Sequence, residues 1–189
     1  MGRIIFMTEE KSMKATLCKI LPKLAPDFRE FEHWLVIEHK GKSDLEKSFP
    51  RKVKQWQEPG VRFIILRDND GGDCRVLKRR LLDLLPVDAP DCLIRIVCQE
   101  LESWLIGDAT ALATAYPAAT RHGSFRRLTQ TEPDTLNNAS ELAGQFTDTA
   151  AKTIRASEIA THMEPNRNRS TSFQVFCRGV ELFRQRAIA

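Results

Sequence analysis

Long apolar runs are missing from this chain of 189 residues. No window holds eighteen consecutive apolar residues, so no transmembrane helix and no membrane partner are expected. Cysteine offers little framework. The five, Cys18, Cys74, Cys92, Cys98 and Cys177, are odd in number, and no pair has CxxC or zinc-site spacing. That argues against a disulfide scaffold or a structural zinc and for reduced thiols in a cytoplasmic protein. Internal repeats and low-complexity tracts are also absent. The apolar start Arg3–Met7 is too short for a signal peptide, and Glu9 and Glu10 follow at once. A buried first strand is the expectation.

What is present is the composition of an ordinary globular chain, with 42% hydrophobic and 29% charged residues. The length suits one domain, or one with an appendage, and suffices to bury a core without disulfides or metal. The net charge of +4 is a weak pointer by itself. From Lys152 onward seven basic residues face three acidic ones. Such a tail is compatible with a phosphate-bearing partner and equally with a solvated helix face.

Four short runs rich in Ile, Val, Leu or Phe stand in the first hundred residues: Arg3–Met7, Trp34–Glu38, Val61–Arg67 and Cys92–Cys98. They suit strands of a parallel sheet covered on both faces. Amphipathic segments separate them at Lys11–Leu24, Asp44–Trp56 behind a Ser43 cap, and Asp73–Leu85. The order predicts an open α/β sheet with right-handed crossovers over residues 1–107. Residues 108–189 read as mainly helical and packed on that core. Helices are predicted at Leu101–Ile106, at Ala109–Ala115 capped by Asp108, after Asn138, at Thr149–Thr161 and at Ser172–Arg186. Pro117–Asp134 reads as loop with turns, and Glu164–Ser170 as a polar turn.

In such a sheet ligands bind beyond the carboxyl ends of the strands. There the chain carries acids: Glu9 and Glu10 after the first run, Asp68-Asn69-Asp70 after the third, Glu100 and Glu102 after the fourth. Carboxylates so gathered repel one another unless a cation joins them, and hard divalent cations prefer oxygen ligands. Turn formation is the competing role, and Asp73 can simply cap the next helix. Glu100 and Glu102 stand two apart, so one of them faces the site if they are helical, with Glu100 slightly favoured.

The segments Glu9-Glu10-Lys11-Ser12-Met13, Gly41-Lys42-Ser43-Asp44-Leu45, Leu66-Arg67-Asp68-Asn69-Asp70, Glu100-Leu101-Glu102-Ser103-Trp104 and Asn166-Arg167-Asn168-Arg169-Ser170 resemble domain-of-unknown-function family 4276 (DUF4276). That family is Toprim-like and related to the Toprim domains of OLD-type nucleases. The resemblance covers nearly the whole chain. It implies a Toprim-like fold and metal-dependent cleavage of phosphodiester bonds in DNA or RNA. It also implies a bacterial-defence setting beside an ABC/AAA-type ATPase. Glu9, Asp68 and Asp70 would hold Mg²⁺ or Mn²⁺, with Glu100 or Glu102 completing the set. Glu9 is an alternative general acid or base. The usual Toprim pattern has glycine after the first glutamate; here Glu10 follows, which leaves Glu9 and Glu10 both open.

Phosphate contacts would come from Lys40, Lys42, Arg67, Arg167 and Arg169, the last two from a turn that must fold back to the site. Exposed salt bridges are the competing role for each. His39 and His162 are further ligand or base candidates. Gly41-Lys42-Ser43 lacks the earlier glycine of a Walker A loop, since Val36 occupies that position. Trp34, Trp56 and Trp104 read as packing residues. A receiver-like phosphoacceptor fold ranks lower, because no hydroxyl residue follows strand four and no fifth strand is evident. A non-catalytic protein docking an ATPase or nucleic acid remains the main rival.

Overall fold

The computed structural model describes residues 2–188. Four strands form its sheet: β1 (Ile4–Thr8), β2 (Trp34–Glu38), β3 (Arg62–Asp68) and β4 (Cys92–Val97). All pair in parallel, in the order β2-β1-β3-β4. Side chains alternate between the two sheet faces, and each face has its own core. Ile4, Phe6, Ile64 and Leu66 point to one, Ile5, Met7, Phe63 and Ile65 to the other. Strands apolar on both sides need cover on both, which is why the runs read as continuous rather than alternating.

Helix α1 (Lys11–Leu24) packs Met13, Leu17, Ile20 and Leu21 on the first face. Helices α2 (Lys42–Gln55) and α3 (Cys74–Leu82) pack Leu45, Phe49, Val53 and Leu81 on the second. The chain moves outward from β1 to β2 and then back across to β3. Crossovers of one hand therefore put α1 and α2 on opposite faces. The C-terminal ends of β1 and β3, side by side at the middle of the sheet, form the point where the chain turns in opposite directions.

The remaining helices gather on the α1 face: α4 (Leu101–Gly107), α5 (Ala109–Ala115), α6 (Phe125–Leu128), α7 (Ala139–Phe146), α8 (Lys152–His162) and α9 (Thr171–Ile188). Pro117–Arg121 and Pro133–Thr135 are single 3₁₀ turns. Trp104 is fully buried against Phe173 and Phe176, and its indole N–H donates to Ser172 Oγ at 2.8 Å. Trp34 is buried as well, while Trp56 meets Phe63 edge-on.

Several local expectations change: α8 begins at Lys152 rather than Thr149, and Pro117–Asp134, expected as loop with turns, contains the short helix α6. α2 starts at Lys42, and the capping position is Gly41 at φ +91°, not Ser43. The Gly41 N–H donates to Glu9 O at 2.9 Å, a bend that a glycine adopts without strain. α3 ends at Leu82, earlier than the periodicity suggests.

Candidate metal and phosphate site

The carboxylates collect at the switch point. β3 runs two residues past the end of β1 and delivers Asp68 into the crevice, where its N–H donates to Glu9 Oε2 at 3.3 Å. The Asp68 carboxylate is buried, and its Oδ1 has no hydrogen-bond partner. Burial first, then the charges of Glu9, Glu10, Glu102 and Asp70, push the Asp68 carboxyl well above its usual range. Burial also raises Glu9, with the Arg67 guanidinium pulling the other way.

Asp70 turns outward at φ +48°, a left-handed conformation that aspartate tolerates better than most residues. Partial burial alone would raise its carboxyl. Hydrogen bonds from Lys42 Nζ at 3.0 Å and Arg67 Nη1 at 2.9 Å outweigh that and hold it low. Arg67, only 6% exposed, is the hub of the group. Its Nε lies 3.7 Å from Glu9 Oε2 and 3.3 Å from Glu46 Oε1, and Nη1 also donates to the Asp68 carbonyl.

The two glutamates after β4 share Ser140 but differ in their other partners. Glu102 is buried, acts on Asp68, and pairs with Arg155 at 3.3 Å and Lys152 at 3.8 Å. Glu100 accepts from Ser140 N at 2.9 Å, at the start of α7, and the Ser140 hydroxyl donates to Glu102 Oε1 at 3.3 Å. Of the two, Glu102 is the one whose charge acts on Asp68. Glu10 lies near Asp68 as well, with the Ser12 hydroxyl donating to it.

Of the other candidates, Asp73, His39, Arg167 and Arg169 have side-chain partners within the fold, while Lys40 and His162 are engaged, among the described residues, through their backbone alone. Asp73 caps α3, accepting from Arg75 N at 2.7 Å and Val76 N at 3.0 Å. His39 is buried between Thr8 O at 2.9 Å and Lys52 Nζ at 3.2 Å, and burial lowers its pKa. Lys40 is exposed, with its N–H donating to Asp44. Arg167 pairs with Asp108 at 2.7 Å, and Arg169 donates to Leu128 O at 3.0 Å. His162 is exposed and accepts from Arg167 through its carbonyl. The 166–170 turn thus ties α4, α5 and α6 together.

Three groups lay outside the sequence reading. Glu46 and Arg155 complete ion pairs with residues 21 and 53 positions away, a pairing no local pattern announces. Asn69 is buried and braces the loop, donating to Gly72 O at 2.7 Å while Gln99 N donates to its Oδ1. Beside it the Cys74 and Cys98 sulfurs stand 3.2 Å apart, and burial with the neighbouring thiol pushes Cys98 up to about 12.

Among the described residues, no three His, Cys, Asp or Glu side chains converge tightly enough to enclose a metal ion. Arg67 and Lys42 occupy the carboxylates instead. The donor set nevertheless suits a hard cation: all its ligating atoms are oxygens, and Asp68 Oδ1 is an orphaned acceptor amid four further acids. A cleft of about 980 Å³ lined by Pro50, Trp56, Val87 and Pro90 lies at the opposite end of the sheet and contains none of these groups.

Residues 8–181 match the profile of the family described as domain of unknown function (DUF4276). No curated protein matches. Among solved structures, the C-terminal region of the Burkholderia pseudomallei OLD protein is similar with a TM-score of 0.60 at 14% identity, covering 100% of this chain and 99% of that one. The C-terminal region of the Xanthomonas campestris pv. campestris OLD protein gives 0.48 at 16% identity, covering 96% and 97%. The shared architecture is the Toprim-like open parallel sheet flanked by helices. No described helix is long and apolar enough to cross a membrane.

Proposed function

The chain belongs to the DUF4276 family, and from that premise we propose that it is a divalent-metal-dependent phosphodiesterase of Toprim type acting on nucleic acid. One observation carries this: the buried Asp68 carboxylate with an unpartnered oxygen, set among Glu9, Glu10, Asp70 and Glu102 at the switch point. Stability gains nothing from a buried, unpaired acid among acids, so function is the reason to keep it.

Asp68 with Glu9 or Glu10 would hold Mg²⁺ or Mn²⁺, Asp70 and Glu102 completing the set. When bound, such an ion neutralises charge on a phosphate oxygen and lowers the pKa of its water. The protein's own groups supply the rest. Arg67 and Lys42, which now neutralise Glu9 and Asp70, are placed to take the non-bridging phosphate oxygens. If Glu10 is the ligand instead, Glu9, raised by burial, is suited to keep a proton for the leaving oxygen. An ABC/AAA-type ATPase, in a bacterial-defence setting, is the partner this reading expects.

The rival reading is a non-catalytic adaptor that docks an ATPase or nucleic acid. The occupation of Glu9 and Asp70 by Arg67 and Lys42 favours it. Calorimetric titration with Mg²⁺ and Mn²⁺, together with nicking of supercoiled DNA and cleavage of RNA, separates the two. The expected result is metal binding and cleavage, both lost in Asp68→Ala, a fall of at least about a hundredfold in rate. Absence of both from the wild-type protein, alone and with the ATPase, leaves the adaptor.

A further inference from the structure

The molecule's positive charge is not where the chain's basic tail suggests. Of the seven cations from Lys152 onward, five are ion-paired: Lys152 and Arg155 with Glu102, Arg167 with Asp108, Arg184 with Glu181 and Asp27, Arg186 with Asp91. Helices α2 and α3 are the opposite case. They carry nine basic and two acidic residues, while the rest of the chain has twenty basic against twenty-three acidic. Among the described residues only two of the nine are ion-paired, Lys42 with Asp70 and Arg80 with Glu46. Lys47, Arg51, Lys54, Arg75, Lys78 and Arg79 are all exposed and form no ion pair with a carboxylate.

The fold brings these two helices to the same side of the sheet. Both cover the same sheet face, and the Arg80–Glu46 pair at 2.8 Å ties them together. Both begin at the sheet edge that carries the carboxylates. Lys42 touches Asp70 at 3.0 Å, and α3 follows directly from the Asp68–Asp70 loop. A cationic surface therefore starts at the candidate site and runs away from it for the length of α2, roughly 21 Å at 1.5 Å per residue.

We propose that the α2–α3 surface is the docking platform for the phosphate backbone of duplex DNA, leading the strand to Asp68. This rests on the phosphodiesterase reading and names its substrate. A length of roughly 21 Å spans about six base pairs at 3.4 Å each. Single strands are held by aromatic stacking, and no exposed aromatic side chain stands on either helix. RNA duplexes are read through 2′-hydroxyls. Of the exposed positions of α2 and α3, only Ser43 and Gln55, at the two ends of α2, offer a hydroxyl or amide for that.

The test is fluorescence anisotropy with a labelled 24-base-pair DNA duplex in EDTA across a salt series, so that no cleavage intervenes. One variant joins Lys47→Gln, Arg51→Gln, Lys78→Gln and Arg79→Gln. A charge-matched control joins Arg121→Gln, Arg126→Gln, Arg127→Gln and Arg178→Gln, also exposed and without ion pairs. The helix variant should bind at least tenfold more weakly, with a log–log salt slope shallower by roughly 3 to 4. The control should stay near wild type. In the unsubstituted protein, bound duplex should protect Lys47, Lys54 and Lys78 from acetylation. Equal loss in both variants, no loss in the helix variant, or unprotected lysines would overturn the platform; tighter binding of a matched RNA duplex or single strand would overturn its assignment to DNA. Binding without Mg²⁺-dependent cleavage would refute the phosphodiesterase and leave the platform standing.

Discussion

Asp68 is the residue on which the proposed chemistry rests. It is buried, acid-surrounded, and missing a partner on Oδ1. Its raised folded-state pKa has a definite sign for stability. An unfolded aspartate loses its proton near 3.8, while the folded one keeps it to higher pH. As pH rises through that window the unfolded state is favoured, and stability falls. Asp68→Asn removes the liability. It should melt higher than wild type near neutral pH, by roughly 2–4 °C for each kcal/mol relieved in a domain of this size. The margin should widen as pH rises from 4, and saturating Mg²⁺ should stabilise wild type alone. Thermal melts at several pH values check this; a variant that melts lower at every pH counts against the buried-charge account. Glu9, Asp68 and Asp70 were legible because strand runs ending in acids put those acids at one edge. Glu100 and Glu102 were legible as a pair at that edge, but which of them acts on Asp68 was not. Which face of α4 meets the crevice depends on how Arg155 of α8 reaches it.

At the scale of elements, the join between α4 and the polar turn is the most demanding. Asn168 is buried, its Nδ2 donating to Trp104 O at 2.7 Å and its Oδ1 accepting from Ser170 N at 2.9 Å. A side-chain carbon at Gly107 would stand 2.3 Å from that Oδ1. Gly107→Ala must therefore displace a bonded, buried amide, and the expected loss is about 2 kcal/mol. Urea unfolding measures it, and an unchanged midpoint would show that Asn168 yields freely. α1 and α5 follow the sequence reading residue for residue, because periodicity and an Asp108 cap define them locally. The α2 start was misjudged because Gly41's bend is set by a bond to Glu9 across the sheet edge, not by its own neighbours.

For the molecule as a whole, the core on the α1 face runs without a break from Ile4 and Phe6 through Trp104 to Ile159, Phe173, Phe176 and Phe183. We propose that residues 1–107 and 108–189 fold as one unit. A chain ending at Gly107 would expose the partners of all four late residues. At about 1.5–3 kcal/mol per large side chain, that approaches the whole stability of a domain. It should show no cooperative transition and little near-ultraviolet dichroism, whereas the full chain should unfold in a single step. A cooperative 1–107 would overturn this unity.

The sequence by itself determined the four parallel strands, their order in the chain, and the edge at which Glu9, Asp68 and Asp70 gather, since all follow from short-range patterns of apolar and acidic residues. Only the tertiary structure decided which charges are spent. Packing of α8 and α9 consumes most cations of the basic tail in pairs with distant acids, and docking of α2 and α3 on the same sheet face leaves most of theirs exposed. Pairing across 50 or more residues depends on where helices dock, and docking is set by shape and burial rather than by any spacing along the chain.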